Sequence, residues 1–376
     1  MGEWKKVKLK DICDITTGKL NANAMKEDGK YPFFTCAKES YRIDEYAFDA
    51  EAILISGNGA NVGYVNYYKG KFNAYQRTYV LMNFKENAKF IKYQIENQIA
   101  RIVSVEKSIS NTPYIVLSTI ENIEINILND KRKESIILQI LEENNDLCNK
   151  INEQIKKCKI FNEALEQRLF SKGITNQPIE RKNGRMIPKN WKFEKAEKYF
   201  ENVSIKNKEK ENVLTVTQDK GIILREDCGI DIKYDINSLK NYKYLKRGQF
   251  VISLRSFQGG IEYSDISGLV SPAYTILAAK KNICLEFYKY YFKSKKFISD
   301  LNNVVEGIRD GKQINYLKFK EILIINPPFE EQKKIANILE VSKRKIDILE
   351  KKRKQYLILQ KGLMQQLLTE KIRVKI

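Results

Sequence analysis

Two stretches of this chain carry apolar residues at alternating steps of three and four. Sliding the sequence on itself by 198 positions lays one stretch on the other. Ile137, Leu141, Cys148, Ile151, Leu165 and Leu169 then fall on Ile335, Leu339, Ile346, Leu349, Leu363 and Leu367. A 3.5-residue period keeps one helical stripe facing a partner helix, as in a coiled coil. The frame predicts long helices over 130–172 and within 328–376, the latter range including a C-terminal tail. Its polar breaks also coincide, Asn144 with Ser342 and Asn162 with Gln360. Polar seam positions lower stability but fix register. Two like seams in one chain most simply pack on each other as an antiparallel pair, each helix ~60 Å long at 1.5 Å per residue. Two unrelated amphipathic helices facing solvent are the competing reading.

The sequence before each helix is of another kind. Residues 1–129 and 188–327 are rich in aromatics, glycine and β-branched runs. Ala52–Ser56, Gly63–Tyr68 and Arg77–Leu81 read as strands, and Gln249–Ser253 and Ala273–Leu277 follow in the same order in the second block. Each block opens alike, on Trp4-Lys5-Lys6-Val7 and Trp191-Lys192-Phe193-Glu194. Gly173, Pro178, Gly184 and Pro188 mark 173–187 as a linker. The fold class is therefore α+β: two globular α/β domains separated by two long helices forming an antiparallel coiled coil, a pseudo-two-fold repeat.

Charge adds a partner to this architecture. Lys and Arg number 67 against 47 Asp and Glu, a net +20, in 376 residues that include no histidine. Without histidine there can be no Ser-His-Asp or Cys-His catalysis and no HExxH zinc site. The six cysteines, Cys13, Cys36, Cys148, Cys158, Cys228 and Cys284, form no CxxC pair and read as reduced core residues. No apolar run nears the ~18 residues that span a membrane, and the start lacks a secretory h-region. A cytoplasmic protein with no membrane partner is expected. The excess charge asks for a polyanion, nucleic acid first, although a Lys- and Asn-rich composition raises pI without any function.

Motifs narrow the chemistry. Asn326-Pro327-Pro328-Phe329 follows the strand-like Ile322–Ile325 and has the form with which amino-methyltransferases hold a flipped base. It points to an alternative function, an adenine-N6 DNA methyltransferase. No Gly-rich strand-to-helix turn for a methyl donor accompanies it. The two prolines also suit a strand end that sets Glu330 and Glu331 at a helix N-terminus, where negative charge is favourable. Gly57-Asn58-Gly59-Ala60-Asn61-Val62-Gly63 resembles a phosphate loop, but a strand pattern follows it, so a β-turn-β connection is predicted.

That loop, with Asn58 and Asn61 and with Gln76 and Arg77 farther on, suits base-edge readout, since Asn and Gln pair with adenine and Arg with guanine. In the second block Arg255, Ser256 and Gln258 follow the equivalent strand, and Arg309 and Gln313 sit between Gly307 and Gly311. Lys295, in a basic run with Lys293 and Lys296 beside Tyr288, Tyr290 and Tyr291, is a phosphate candidate. The runs 131–133, 343–345 and 351–354 lie on the long helices and read as solvated faces or subunit contacts. Ordinary surface polarity competes with each of these assignments. The helix seam is represented by Ile137, Leu141, Ile151, Leu165, Ile335, Leu339, Leu349 and Leu363. No catalytic or metal-ligating residue is predicted.

Taken together, the motifs resemble the specificity subunit of type I restriction–modification systems. The strongest signature is Pro327-Pro328-Phe329-Glu330-Glu331-Gln332-Lys333-Lys334-Ile335-Ala336-Asn337-Ile338-Leu339, followed by Leu359–Leu368. Tyr31–Thr35, Ala52–Asn61 and Phe72–Thr78 carry it in the first block and Leu269–Tyr274 in the second. The first helix departs from the pattern, opening on Asn129-Asp130-Lys131-Arg132-Lys133-Glu134. The resemblance implies target recognition domains at 1–129 and 188–327, each reading half of a split, asymmetric site in double-stranded DNA. It implies helices that hold them apart and bind two modification subunits, with restriction subunits as further partners. This subunit would have no cofactor or activity of its own, S-adenosylmethionine and ATP with Mg belonging to the partners.

Overall fold

The structure is a computed structural model that describes residues 4–109, 114–174, 177–206, 208, 210–218, 220–229, 236–305, 314–369, 371, 372 and 374. The chain forms two compact units, residues 1–153 with 351–376 and residues 154–350.

In the first unit the strands are β1 Trp4–Lys8, β2 Asp14–Thr17, β3 Tyr31–Phe34, β4 Tyr41–Ile43, β5 Phe48–Ser56, β6 Val65–Ala74, β7 Thr78–Met82 and β8 Glu124–Leu128. β1 and β8 form an antiparallel ribbon, and the others form one sheet in the order β2-β7-β5-β6-β3-β4. Strand alternation explains why β5 is the centre. Ile53 and Ile55 point to one face, where they meet Ile91, Ile95, Ile99 and Val103 of the helix Ala88–Ile109. Ala52 and Leu54 point to the other, against Phe34, Phe72 and Val80. The predicted strand at Gly63 starts two residues later, at Val65, because Gly63 closes the preceding turn at φ +82°.

The second unit repeats the plan. Its strands are β9 Ile179–Lys182, β10 Arg185–Pro188, β11 Lys192–Lys195, β12 Phe200–Val203, β13 Leu214–Thr217, β14 Gly221–Leu224, β15 Lys243–Leu245, β16 Phe250–Ile252, β17 Glu262–Tyr263, β18 Gly268–Val270, β19 Thr275–Ala279 and β20 Leu323–Asn326. The order β12-β19-β16-β17 matches β2-β7-β5-β6, and the β11–β20 ribbon matches β1–β8. Registers agree as well: Ile55 faces Tyr79 across β5 and β7, and Ile252 faces Thr275 across β16 and β19. Tyr274 therefore stands where Thr78 stands in the first unit. Phe200, Phe250, Phe287, Tyr288, Phe292, Phe297 and Phe319 form an aromatic core, with ring centroids as near as 4.7 Å for Phe292 and Phe297. The segment expected as a plain linker contains the β9–β10 hairpin, turned by Asn183 at φ +46° and Gly184 at φ +80°.

The long helices are Lys131–Lys172 and Phe329–Leu367. Asp130 supplies the N-cap that the departed opening lacks, its Oδ1 accepting from the amides of Arg132 at 3.0 Å and Lys133 at 3.3 Å. Within the first unit Ile137, Leu138 and Leu141 pack with Leu363, Leu367 and Leu368. There too the Asn144 amide donates to the Tyr356 carbonyl at 3.4 Å and Arg353 donates to Asn152 at 3.4 Å. Within the second unit Lys159 pairs with Glu350 at 2.7 Å, and Leu165, Leu169 and Phe170 share the core with Ile335 and Leu339. One helix number rises as its partner's falls, so the pairing inside each unit is antiparallel. Of the named seam residues, Ile137, Leu141, Ile151, Ile335 and Leu339 are buried, whereas Leu165, Leu349 and Leu363 are half-buried. The second helix ends at Leu367, and the residues expected as a C-terminal tail follow it.

Candidate nucleic-acid interface

In the first unit the loops at one end of the six-stranded sheet are tied together by backbone bonds. The Gly57 amide donates to the Arg77 carbonyl at 2.8 Å, and the Ile115 amide donates to the Gly57 carbonyl at 2.8 Å. The Tyr79 hydroxyl closes the set on the Ile115 carbonyl at 2.8 Å. Between these loops lies a cavity of about 740 Å³ lined by Thr17, Asn58, Gln76, Arg77, Tyr79 and Tyr114, among others. Three predicted readers, Asn58, Gln76 and Arg77, are thus brought together. Gln76 and Arg77 are exposed, and the Arg77 guanidinium makes no hydrogen bond among the described residues. A fixed backbone presenting an uncommitted guanidinium suits a bidentate base edge.

Asn61 has a different task. Its amide donates to the Cys36 carbonyl at 3.0 Å, while the Cys36 thiol donates to Asn58 Oδ1 at 3.1 Å. Asn61 holds the loop and Asn58 faces the cavity. The loop is a β-turn-β connection, since it joins β5 to β6 with no helix after it.

In the second unit Arg255 and Gln258 are exposed beyond the end of β16. Ser256 does not belong with them. It is buried, and its hydroxyl accepts from the Ser253 amide at 2.8 Å, so it shapes the turn and cannot reach a base. Sequence reading missed the residues around Tyr274. The Lys243 ammonium donates to the Tyr274 carbonyl at 2.6 Å. Burial raises the Tyr274 hydroxyl pKa, against the pull of Arg225 and Arg255. Lys243 titrates lower than an ordinary lysine, first through burial and then through the charge of Lys206. Like charges gathered with so little carboxylate favour an anionic ligand. The place of Tyr274, level with Thr78 and next to that of Arg77, was the available signal, and it required the strand register.

The basic run in this block is paired with carboxylates. Lys295 pairs with Glu163 at 2.7 Å, Lys296 with Asp300 at 3.5 Å, and Lys293 with Glu262. Tyr288 and Tyr291 are buried core residues. Lys295 reaches Glu163 of the long helix, yet its side chain stays 85% exposed, so this surface pair leaves its ammonium accessible. Arg309 and Gln313 lie outside the described residues.

Asn326 is built into the core edge. Its amide donates to the Tyr199 hydroxyl at 3.0 Å, and its Oδ1 accepts from Gln332 at 2.7 Å and Tyr288 at 3.0 Å. Both ends of the carboxamide are engaged within the fold, and its oxygen, the atom that would accept from an adenine amino group, already takes two hydrogen bonds. Among the described residues no cluster of three or more His, Cys, Asp or Glu side chains could hold a metal, and no helix is long and apolar enough to cross a membrane.

The profile of the type I restriction modification DNA specificity domain matches residues 1–157 and 177–357, one copy on each repeat. The chain belongs to this specificity family. The specificity subunit of the type I restriction enzyme EcoDI from Escherichia coli is 41% identical over 123 residues, 33% of this chain and 27% of that protein. The chain is thus matched to about a quarter of that relative's length. The fold is shared with the crystal structure of a type I restriction-modification S subunit from M. genitalium, with a TM-score of 0.62 at 15% identity, covering 99% of this chain and 96% of that one. A chain from a study of complex assembly and conformational transition of the type I R-M system gives a TM-score of 0.54 at 10% identity, covering 98% of each. As a specificity subunit, the chain devotes its two family domains to the two copies of one strand order described above.

Proposed function

We propose that this specificity subunit reads a bipartite, asymmetric site in double-stranded DNA, one half with each target recognition domain. The domains are residues 1–129 and 188–327, and each reads through the loops beyond its sheet. The observation that carries the reading is the repetition of one strand order, each copy with exposed arginine and carboxamide side chains on the loops at its end. Arg77, Gln76 and Asn58 serve one half-site, and Arg255, Gln258 and the Lys243–Tyr274 group serve the other. Arginine to guanine and carboxamide to adenine supply discrimination of about 1–3 kcal/mol for each bidentate pair.

The long helices set the distance between half-sites and carry two modification subunits, with restriction subunits as further partners. Their outward faces support this, because Ile160, Phe161, Ile348 and Ile358 are exposed on helices otherwise rich in charge. Apolar side chains left in water on such a surface mark a protein contact. The subunit contributes no catalysis, and methyl donor and nucleotide belong to its partners. Exchanging residues 1–129 for the matching block of a relative tests the reading. One half-site of the methylated sequence should change and the other stay. A change in both halves, or in neither, would refute it.

A further inference from the structure

The cavity of the first unit has an apolar side that Asn58, Gln76 and Arg77 do not form. Tyr114 and Leu117 line the same space of about 740 Å³. Their segment is fixed to the reading loop. The Ile115 amide donates to the Gly57 carbonyl at 2.8 Å, the Tyr79 hydroxyl donates to the Ile115 carbonyl at 2.8 Å, and Tyr114 forms a β-bridge with Asn58. Leu117 then opens the short helix Leu117–Glu121. Ile115 is buried in the hydrophobic core, whereas Tyr114 and Leu117 line the cavity and stay 52% and 43% exposed. Apolar residues scattered singly over a surface need no explanation, but these two share one cavity with the polar readers. Held in water by a fixed backbone, they lower stability unless a ligand covers them.

The second repeat differs at this point. There the buried Ile314 also precedes a short helix by two positions, Tyr316–Phe319, and the residue before it in the chain is Gln313. The first repeat thus has an aromatic at the chain position where the second has a carboxamide.

We propose that Tyr114 and Leu117 are specificity residues of the first half-site that take the C5 methyl group of a thymine. Thymine is the one base whose major-groove edge carries an apolar group, so an apolar side of a reading cavity can tell it from the other three. The neighbouring carboxamides fit this assignment, because an adenine read by Gln76 or Asn58 brings a thymine on the opposite strand. The proposal rests on DNA readout by this cavity and adds the base that its apolar side selects.

The test uses the full chain assembled with its modification subunits. Sequencing the fraction bound from a pool randomised through both half-sites gives the site, and exchange of residues 1–129 marks the half-site of the first domain. Duplexes then carry deoxyuridine in place of one thymine at a time, which removes the methyl group and leaves every hydrogen-bonding atom in place. At one thymine of that half-site the substitution should weaken binding by about fourfold, the effect of uncovering one methyl-sized group. A variant carrying both Tyr114→Ala and Leu117→Ala should bind the thymine and deoxyuridine duplexes alike, with an unchanged melting temperature because both side chains are exposed.

A first half-site with no thymine on either strand would overturn the proposal, as would an unaltered protein that tolerates deoxyuridine at every position; neither result depends on a variant. A methyl effect that survives in the double variant would overturn it too, since another group would then take the methyl. Where Arg77→Ala still relaxes a position of that half-site, only the thymine assignment falls. Silence of Asn58→Ala, Gln76→Ala and Arg77→Ala together would remove the readout beneath it.

Discussion

Lengthening both long helices where the two units meet should lengthen the unread spacer of the DNA site. The place is given by the division of the chain, between Glu153 and Gln154 in the first helix and between Glu350 and Lys351 in the second. Insertion nearer Gly173 would displace Leu169 and Phe170 from the aromatic core, and insertion in one helix alone would shift the seam against its partner. Seven residues in each helix, continuing the heptad, return the seam to the same face. They add about 10.5 Å at 1.5 Å per residue. At 3.4 Å per base pair this admits about three more base pairs at most. Each added pair also turns the far half-site by about 35°, since a turn holds 10–10.5 pairs, and this selects among one, two and three. The assay is methylome sequencing of cells carrying the variant with its partner subunits. Both half-sites should be retained around a spacer longer by one to three base pairs. An unchanged spacer at full methylation would refute the role given to the helices.

Three further outcomes follow from the sites. Arg77→Ala should relax one base position in one half-site by ~1–3 kcal/mol, measured by competition binding, whereas uniform weakening on all sequences would mean a phosphate contact. Asn326→Ala should leave the methylation rate of the assembled complex intact. It should lower stability by about 1–3 kcal/mol, because Tyr199, Tyr288 and Gln332 lose their shared partner; thermal unfolding and single-turnover methylation separate the two effects, and lost turnover in a stable variant would revive the methyltransferase alternative. Replacing Ile160 and Phe161 with Lys should abolish association with modification subunits while the chain keeps its melting temperature, read by gel filtration. Full assembly would show that this face is not the contact.

The long helices were legible because 3.5-residue periodicity depends only on sequence, and the 198-residue repeat made the two seams check each other. The strands β5, β6, β7, β16 and β19 were legible from β-branched runs, since β5 buries alternate residues on opposite faces, whereas their order in the sheets was not. The β9–β10 hairpin was not, because four-residue strands leave too short a pattern to separate from a polar linker. That Asn58, Gln76 and Arg77 sit on loops was legible because turn chemistry is local, and the structure gathers them around one cavity. Lys243 and Tyr274 were missed because they act through a pairing 31 residues apart, visible only once the registers are fixed. Residue type misled at Ser256. Its hydroxyl looks available in sequence, yet it is buried and taken by the Ser253 amide.

The central claim is that two independent readers divide one DNA site. Exchange of residues 1–129 for the matching block of a relative, followed by methylome sequencing, tests it most directly. Replacement of one half-site, with the other half and the spacer preserved, is the predicted result. Retention of the original site, or loss of both halves together, would contradict the account.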